Sequence, residues 1–401
     1  MITMRKPELL APAGDLERLK IALLYGADAV YFGGAVFGLR ANAINFSMDD
    51  IKESVAFAHN LGKKVYVTVN ITLHNKEIET LVSYLKDLNQ LGVDAIIVSD
   101  PAVIELASKN TSLEIHLSTQ QSTLNYEAIK FWKKQGVTRI VMGRETSQNE
   151  IKEIMENVDL EIETFIHGAM CAGYSGRCVL SNFLTARDAN RGGCSQICRW
   201  DFNLLSEDLI PLKGDQDFTF CAKDLSQLKH IPEMIKMGII SFKIEGRMRS
   251  VYYIATVVHM YRQVIDEYFN NPETYQYNLE YEKVLSNCAN RDSISQFFAG
   301  PEGKDYQYYS GRIETSNQDF LALVLSYDQV TKMATIEQRN YFKTGDQVCL
   351  FGPHTKDFYF TVGKIYDDKN QVLEIVNHPQ QVVKIMIDQV VYPNDMIRIN
   401  K

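Results

Sequence analysis

One short phrase punctuates the chain twice, Gly-Ala-Asp-Ala-Val at 26–30 and Gly-Val-Asp-Ala-Ile at 92–96. Each time a glycine closes an amphipathic stretch and an apolar, β-branched run follows, which is the join between a helix and the next strand of a βα unit. Eight such runs can be read: ELLAP ending at Pro12, AVYFGG at 29–34, KVYVTVN at 64–70, AIIVSD at 95–100, EIHLST at 114–119, RIVMGR at 139–144, EIETFIH at 161–167 and SFKIEGR at 241–247. Between them Ile78, Leu81, Val82, Leu85 and Leu88 show the spacing of a single apolar helix face. Gly26, Gly62, Gly92, Gly136 and Gly238 stand where left-handed caps are expected. Ser47-x-x-Asp50 and Ser147-x-x-Glu150 carry the pattern of helix starts. Eight units of this kind fit a closed (β/α)8 barrel over 1–270, with a doubly wound open sheet as the alternative.

In a parallel barrel, chemistry collects at the carboxyl ends of the strands. The residues expected there are Asn70, Asp100, Gln120, Gln121, Arg144, His167 and Glu245. The loop after the seventh strand, 168–200, is the most unusual stretch. It holds Cys171, Cys178, Cys194 and Cys198, four of the chain's seven cysteines, spaced C-x6-C-x15-C-x3-C and interrupted by glycines. Disulfides suit small secreted domains, whereas this chain is long, has an odd cysteine count and starts without an apolar leader pattern. Buried packing thiols seldom sit beside glycine, serine and arginine. Structural zinc usually pairs two short knuckles, and only Cys194 to Cys198 is that short. A metal or an iron-sulfur cluster held by thiolates is the reading that uses all four.

No apolar run approaches the length of a membrane span, so a cytoplasmic protein is expected. The net charge of −8 argues against a wholly basic surface. A local stripe of Arg177, Arg187, Arg191, Arg199, Lys243, Arg247 and Arg249 still leaves room for nucleic acid. Residues 271–310 are polar and tyrosine-rich, as in a linker that completes the barrel, and 311–401 read as six short strands of a small β-barrel.

Three stretches, PELLAPAGDLERLKIALLYGADAVYFGG, GAMCAGYSGRCVLSNFLTARDANRGGCSQICRW and SFKIEGRMRS, together with Lys223-Asp224-Leu225, closely resemble the collagenase-like peptidase family, number thirty-two among peptidases of unassigned mechanism. The likeness extends over the whole chain and is nearest to members that make 5-hydroxyuridine at the wobble position of tRNA. It implies oxygen-independent hydroxylation of that uridine, a 4Fe-4S cluster on Cys171, Cys178, Cys194 and Cys198, and prephenate as hydroxyl donor. Cys221 is a fifth candidate ligand, and Cys288 and Cys349 are expected bystanders. Prephenate is a dicarboxylate and calls for cationic forks, for which Arg40, Arg144, Lys243 and Arg247 are the candidates. Glu245 is a candidate proton carrier; Asn70, Gln120 and His167 are candidate hydrogen-bonding residues. Tyr174 and Trp200, with the loop arginines, are suited to a splayed anticodon loop.

The family's older label makes a peptidase the alternative. His167 stands four residues before Cys171, as a base beside a nucleophile would. That pairing leaves three cysteines unexplained, Gly173-Tyr174-Ser175-Gly176 misses the serine-elbow spacing, and H-E-x-x-H is absent. A zinc-stiffened, non-catalytic RNA-binding protein is the remaining class.

Overall fold

The computed structural model describes residues 5–38, 45–211, 218–289, 291–300, 303–308 and 319–399. The chain divides into two compact units, Met1–Glu282 with Arg291–Glu314, and Lys283–Asn290 with Thr315–Lys401.

The first unit is the expected barrel. Strands β1 (Glu8–Pro12), β2 (Ala29–Gly33), β3 (Lys64–Val69), β4 (Ala95–Val98), β5 (Glu114–Leu117), β6 (Arg139–Val141) and β7 (Glu161–Gly168) pair in parallel in chain order. After a short β8 (Asp224–Ser226), strand β9 (Ser241–Ile244) pairs in parallel with both β1 and β7 and closes the cylinder. β8 lies outside the ring, antiparallel to the end of β7, and β10 (Ser293–Ile294) extends it.

Helices α1 (Leu16–Leu24), α2 (Met48–Asn60), α3 (Asn75–Gln90), α4 (Pro101–Asn110), α5 (Tyr126–Lys134) and α6 (Gln148–Asn157) follow the first six strands. Both expected capping boxes form. Ser47 Oγ accepts from Asp50 N at 3.1 Å while the Asp50 carboxylate accepts from Ser47 N at 2.9 Å, and Ser147 with Glu150 repeats the exchange. All five glycines expected to end helices have positive φ. Beyond β7 come α7 (Leu180–Thr185), inside the cysteine segment, then α8 (Ile231–Lys236) and α9 (Val251–Asn270). Among the described residues no helix is long and apolar enough to cross a membrane.

Alternate residues of each strand face the barrel interior, and part of that interior is apolar, with Leu10, Ala29, Tyr31, Tyr66, Ala95 and Ile97 in one cluster. Toward the amino ends of the strands it is ionic. Glu163 on β7 is fully buried; Lys243 on β9 donates to it at 2.7 Å, and Arg139 on β6 approaches at 3.3 Å. Arg139 also pairs with Glu8 of β1 and Glu161, both at 2.7 Å, while Tyr66 and Ser241 donate to Glu8 at 2.6 and 2.8 Å. Desolvation pushes the Glu163 carboxyl up, but the charges of Lys243 and Arg139 win and hold it below the ordinary carboxylate range.

In the second unit an antiparallel sheet of eight strands curls around Leu321, Val324, Ile336, Phe342, Val348, Ile365, Ile385 and Ile397. Its strand Met396–Ile399 sits between Phe320–Asp328 and Gln347–Phe351 and was not among the six read from the sequence. Four residues after a Pro-Asn-Asp turn carry too short an alternation to announce a central strand.

The ionic interior makes a stability prediction. Lys243→Met leaves the Glu163 charge underpaired and should cost about 3–5 kcal/mol in denaturant unfolding, with much of the loss recovered when Glu163→Gln is added. A loss below about 1 kcal/mol, or strict additivity of the two changes, would show that the pair does not hold the barrel.

Candidate functional site

The cysteine segment leaves β7 at the carboxyl ends of the strands and is tied there by its own backbone. Gly168 lies against the Glu245 backbone: a Cβ on it would stand 2.4 Å from the Glu245 carbonyl oxygen. Arg144, at the end of β6, donates from Nη1 to the Ala169 carbonyl at 2.7 Å and lies 3.9 Å over the Phe165 ring. Gly176 has φ +77° and rests on Gln120, whose Cβ would be 2.7 Å from any added side chain. Further along, Thr72 N donates to the Asn190 carbonyl at 3.2 Å, and Arg191 pairs with Glu77. The segment is thus fastened across β3, β5, β6 and β9, over the barrel mouth.

Five thiols lie in or beside this segment. Cys171 is exposed, though desolvation by the protein around it pushes its pKa up; Cys194 and Glu245 push the same way, and Arg144 and Arg199 pull it down. Desolvation also raises Cys198, which feels Arg199, Cys171, Cys194 and Cys221. Cys221 is buried, its N–H held by Thr219 Oγ1 at 2.9 Å, and Thr219 donates to the Cys198 carbonyl at 3.3 Å. The Cys178 carbonyl accepts from Asn190 Nδ2 at 3.4 Å. Among the described residues no three His, Cys, Asp or Glu side chains are drawn closely enough together to hold a metal ion. As a donor set, soft thiols among arginines suit a negatively charged thiolate cluster better than a hard cation.

Cations gather beside the thiols. Asp224 on β8 is buried and pairs with Arg291 at 2.8 Å and Arg249 at 3.2 Å. Arg199 feels Arg291, Asp224, Cys198 and Cys221. The sequence marks Asp224 as part of Lys223-Asp224-Leu225 but gives no sign of its partner Arg291, because 67 positions separate them and the pairing of β8 with β10 brings them together.

The other residues expected at the site fall into distinct places. Asn70 and Gln120 bind one another: Asn70 Nδ2 donates to Gln120 Oε1 at 2.6 Å, and Gln120 Nε2 returns a bond to the Asn70 carbonyl at 2.9 Å. Ser118 Oγ adds a bond to the same Oε1 at 2.9 Å. Arg247 is buried, and its guanidinium fills the space left by Gly33, where a Cβ would come within 2.7 Å of Nη2. Glu245 is half-buried, its N–H donating to the His167 carbonyl at 2.8 Å. Lys243 lies in the barrel interior with Glu163, 4.5 Å over the Tyr31 ring. Tyr174 and Trp200 are exposed, and Arg40 lies outside the described residues.

His167 faces elsewhere. The β7–β9 register shifts between Phe165 and His167, and the imidazole stands among α9 tyrosines, 5.5 Å from the Tyr261 ring and 5.9 Å from Tyr253. Its Nδ1 is 3.3 Å from the Tyr261 hydroxyl. Among the described residues it makes no bond to Cys171. Burial, with Arg249 acting in the same direction, pushes its pKa down to about 3, so the ring is neutral at physiological pH.

A model of peptidase family U32 matches residues 14–308, and one of the U32 C-terminal domain matches 316–398. The chain is 50% identical over 406 residues to the tRNA hydroxylation protein P1 of Bacillus subtilis, covering 100% of this chain and 96% of that one. It is 42% identical over 265 residues to the 23S rRNA 5-hydroxycytidine C2501 synthase of Escherichia coli, covering 66% of this chain and 40% of that one. It is 29% identical over 404 residues to a protein named collagenase from Porphyromonas gingivalis, covering 97% of each.

His167 supplies the pH prediction. A histidine whose folded pKa lies below its unfolded value of 6.5 contributes stability above that value and loses it as pH falls toward the folded pKa. His167→Asn keeps a polar atom near the Nδ1 position and should lower thermal stability at neutral pH. It should also flatten the fall in melting temperature between neutral pH and about pH 5. A variant with the wild-type pH slope would show that burial does not keep this ring neutral.

Proposed function

The chain belongs to peptidase family U32, and we propose that within it this protein is an RNA hydroxylase, converting the wobble uridine of tRNA to 5-hydroxyuridine with prephenate as hydroxyl donor and a 4Fe-4S cluster as cofactor. One observation carries the reading: identity at one position in two, along the whole length, with a protein named for tRNA hydroxylation. The rRNA-modifying relative supports the broader reaction class, hydroxylation of an RNA pyrimidine.

Cys171, Cys178, Cys194 and Cys198 would hold the cluster, with Cys221 close to Cys198 as the alternative fourth thiol. When bound, the cluster supplies one-electron chemistry that no side chain at the mouth offers. The remaining roles belong to the chain's own residues. Arg144 and Arg199 offset negative charge beside Cys171. Arg247, seated over Gly33 at the strand ends, would receive a carboxylate of the donor. Glu245, next to the cysteine segment, is the group able to hold or pass a proton at the uracil edge. Asn70 and Gln120, locked to each other, present a fixed polar floor and position the cysteine segment through Gly176.

The peptidase label finds little support in this geometry. A cysteine nucleophile needs a base within hydrogen-bonding reach, and the neutral ring of His167 is bonded to Tyr261.

Mass spectrometry of tRNA nucleosides tests the reading. A strain lacking this gene, and having no second enzyme of the same kind, should lose 5-hydroxyuridine and its derivatives. A plasmid copy should restore them, and one carrying Cys171→Ser should not. Unchanged nucleosides in the deletion strain would refute the assignment.

A further inference from the structure

Helix α7 turns the wrong way for a soluble surface. Its hydroxyl-bearing side is fixed inward: Ser181 is 2% exposed and its Oγ accepts from Ser195 N at 3.0 Å, and Thr185 Oγ1 donates to the Ser181 carbonyl at 2.8 Å. Asn182 Oδ1 accepts from Ala189 N at 3.3 Å. The apolar side, Leu180, Phe183 and Leu184, spaced to share one helical face, points into solvent together with Val179. Phe183 is 82% exposed and Leu184 53%. A helix that buries its polar groups and displays a phenyl ring is arranged for something that covers it.

Charge identifies the occupant. Arg177 and Arg187 flank the helix, both exposed, and among the described residues neither has a carboxylate partner; the Arg177 side chain reaches only Ser122 Oγ, at 3.3 Å. Arg191, a little further on, is by contrast committed to Glu77. Unpaired guanidinium groups beside an exposed aromatic ring match a backbone of phosphates carrying unstacked bases. The platform is continuous with the barrel mouth, since Gly176, beside Arg177, rests on Gln120.

We propose that the outward apolar face of α7 is a stacking platform for a single-stranded RNA loop, with a base on Phe183 and phosphates on Arg177 and Arg187. The proposal rests on the RNA-hydroxylase reading and adds to it the surface that grips the loop next to the nucleotide entering the barrel. Withdrawing one base from a loop exposes the faces of its neighbours, and a ring at the mouth stabilises that open arrangement.

Fluorescence anisotropy with a labelled anticodon stem-loop bearing a wobble uridine tests this on the full-length protein, alongside hydroxylation of the same RNA. Phe183→Ala should weaken binding about tenfold or more, Phe183→Trp should keep it, and Arg187→Glu should weaken it and lessen its salt dependence. Phe183→Ala that binds like wild type, in protein with an unchanged melting temperature, overturns the proposal. Wild-type protein that does not bind the stem-loop, or a Phe183→Ala change that dissociates copies of the chain in sedimentation while RNA binding persists, also overturns it. Loss of RNA binding in Phe183→Ala, with no hydroxylation by wild type under any donor, would uphold the platform and remove the hydroxylase reading alone.

Discussion

The seam between β7 and β9 is where the barrel closes, and the rest of the molecule depends on it. Glu163 and Lys243 face one another across that seam, and Arg139 and Glu8 carry the ionic contact on to β6 and β1. An ionised carboxylate with no solvent access is tolerated because two cations and the Ser241 hydroxyl, 3.2 Å away, compensate it. The same closure sets the site. Pairing of β7 with β9 brings Gly168 against Glu245, so the chain leaves β7 directly over the mouth and carries its thiols with it. A side chain at Gly168 would push these two backbones apart.

Around the thiols the electrostatics are positive, although the chain as a whole is acidic. Arg144, Arg199, Arg249 and Arg291 come from four separate places in the sequence, and Asp224 and Glu245 are among the carboxylates that answer them. Desolvation raises Cys171 and Cys198, so without compensation these thiols would stay protonated. Soft thiols beside guanidinium groups are the donor chemistry that the proposed cluster would require. The barrel below contributes a fixed polar floor at Asn70 and Gln120, and the outward face of α7 contributes an apolar surface beside it.

Much of this was legible in the sequence because it is local. The strands declare themselves by alternation, α2 and α6 by reciprocal caps, and the helix ends by glycines at positive φ. The cysteine segment could be placed over the mouth by counting strands. What was not legible depends on register and distance. His167 sits at a strand end, yet an irregularity after Phe165 breaks the alternation and turns it toward α9. Lys243 reads as a mouth cation, but its side chain reaches Glu163 within the barrel. Asp224 with Arg291, and Met396–Ile399 between two distant strands, become neighbours only after long-range pairing, which no window of sequence contains.

Iron and acid-labile sulfide in anaerobically purified full-length protein test most directly whether the gathered thiols hold one inorganic group. About four of each per chain are expected, with a brown chromophore, and both should be lost together when Cys171 or Cys194 is changed to serine. Colourless protein that contains zinc or no metal, and still hydroxylates tRNA at the wild-type rate, would contradict it.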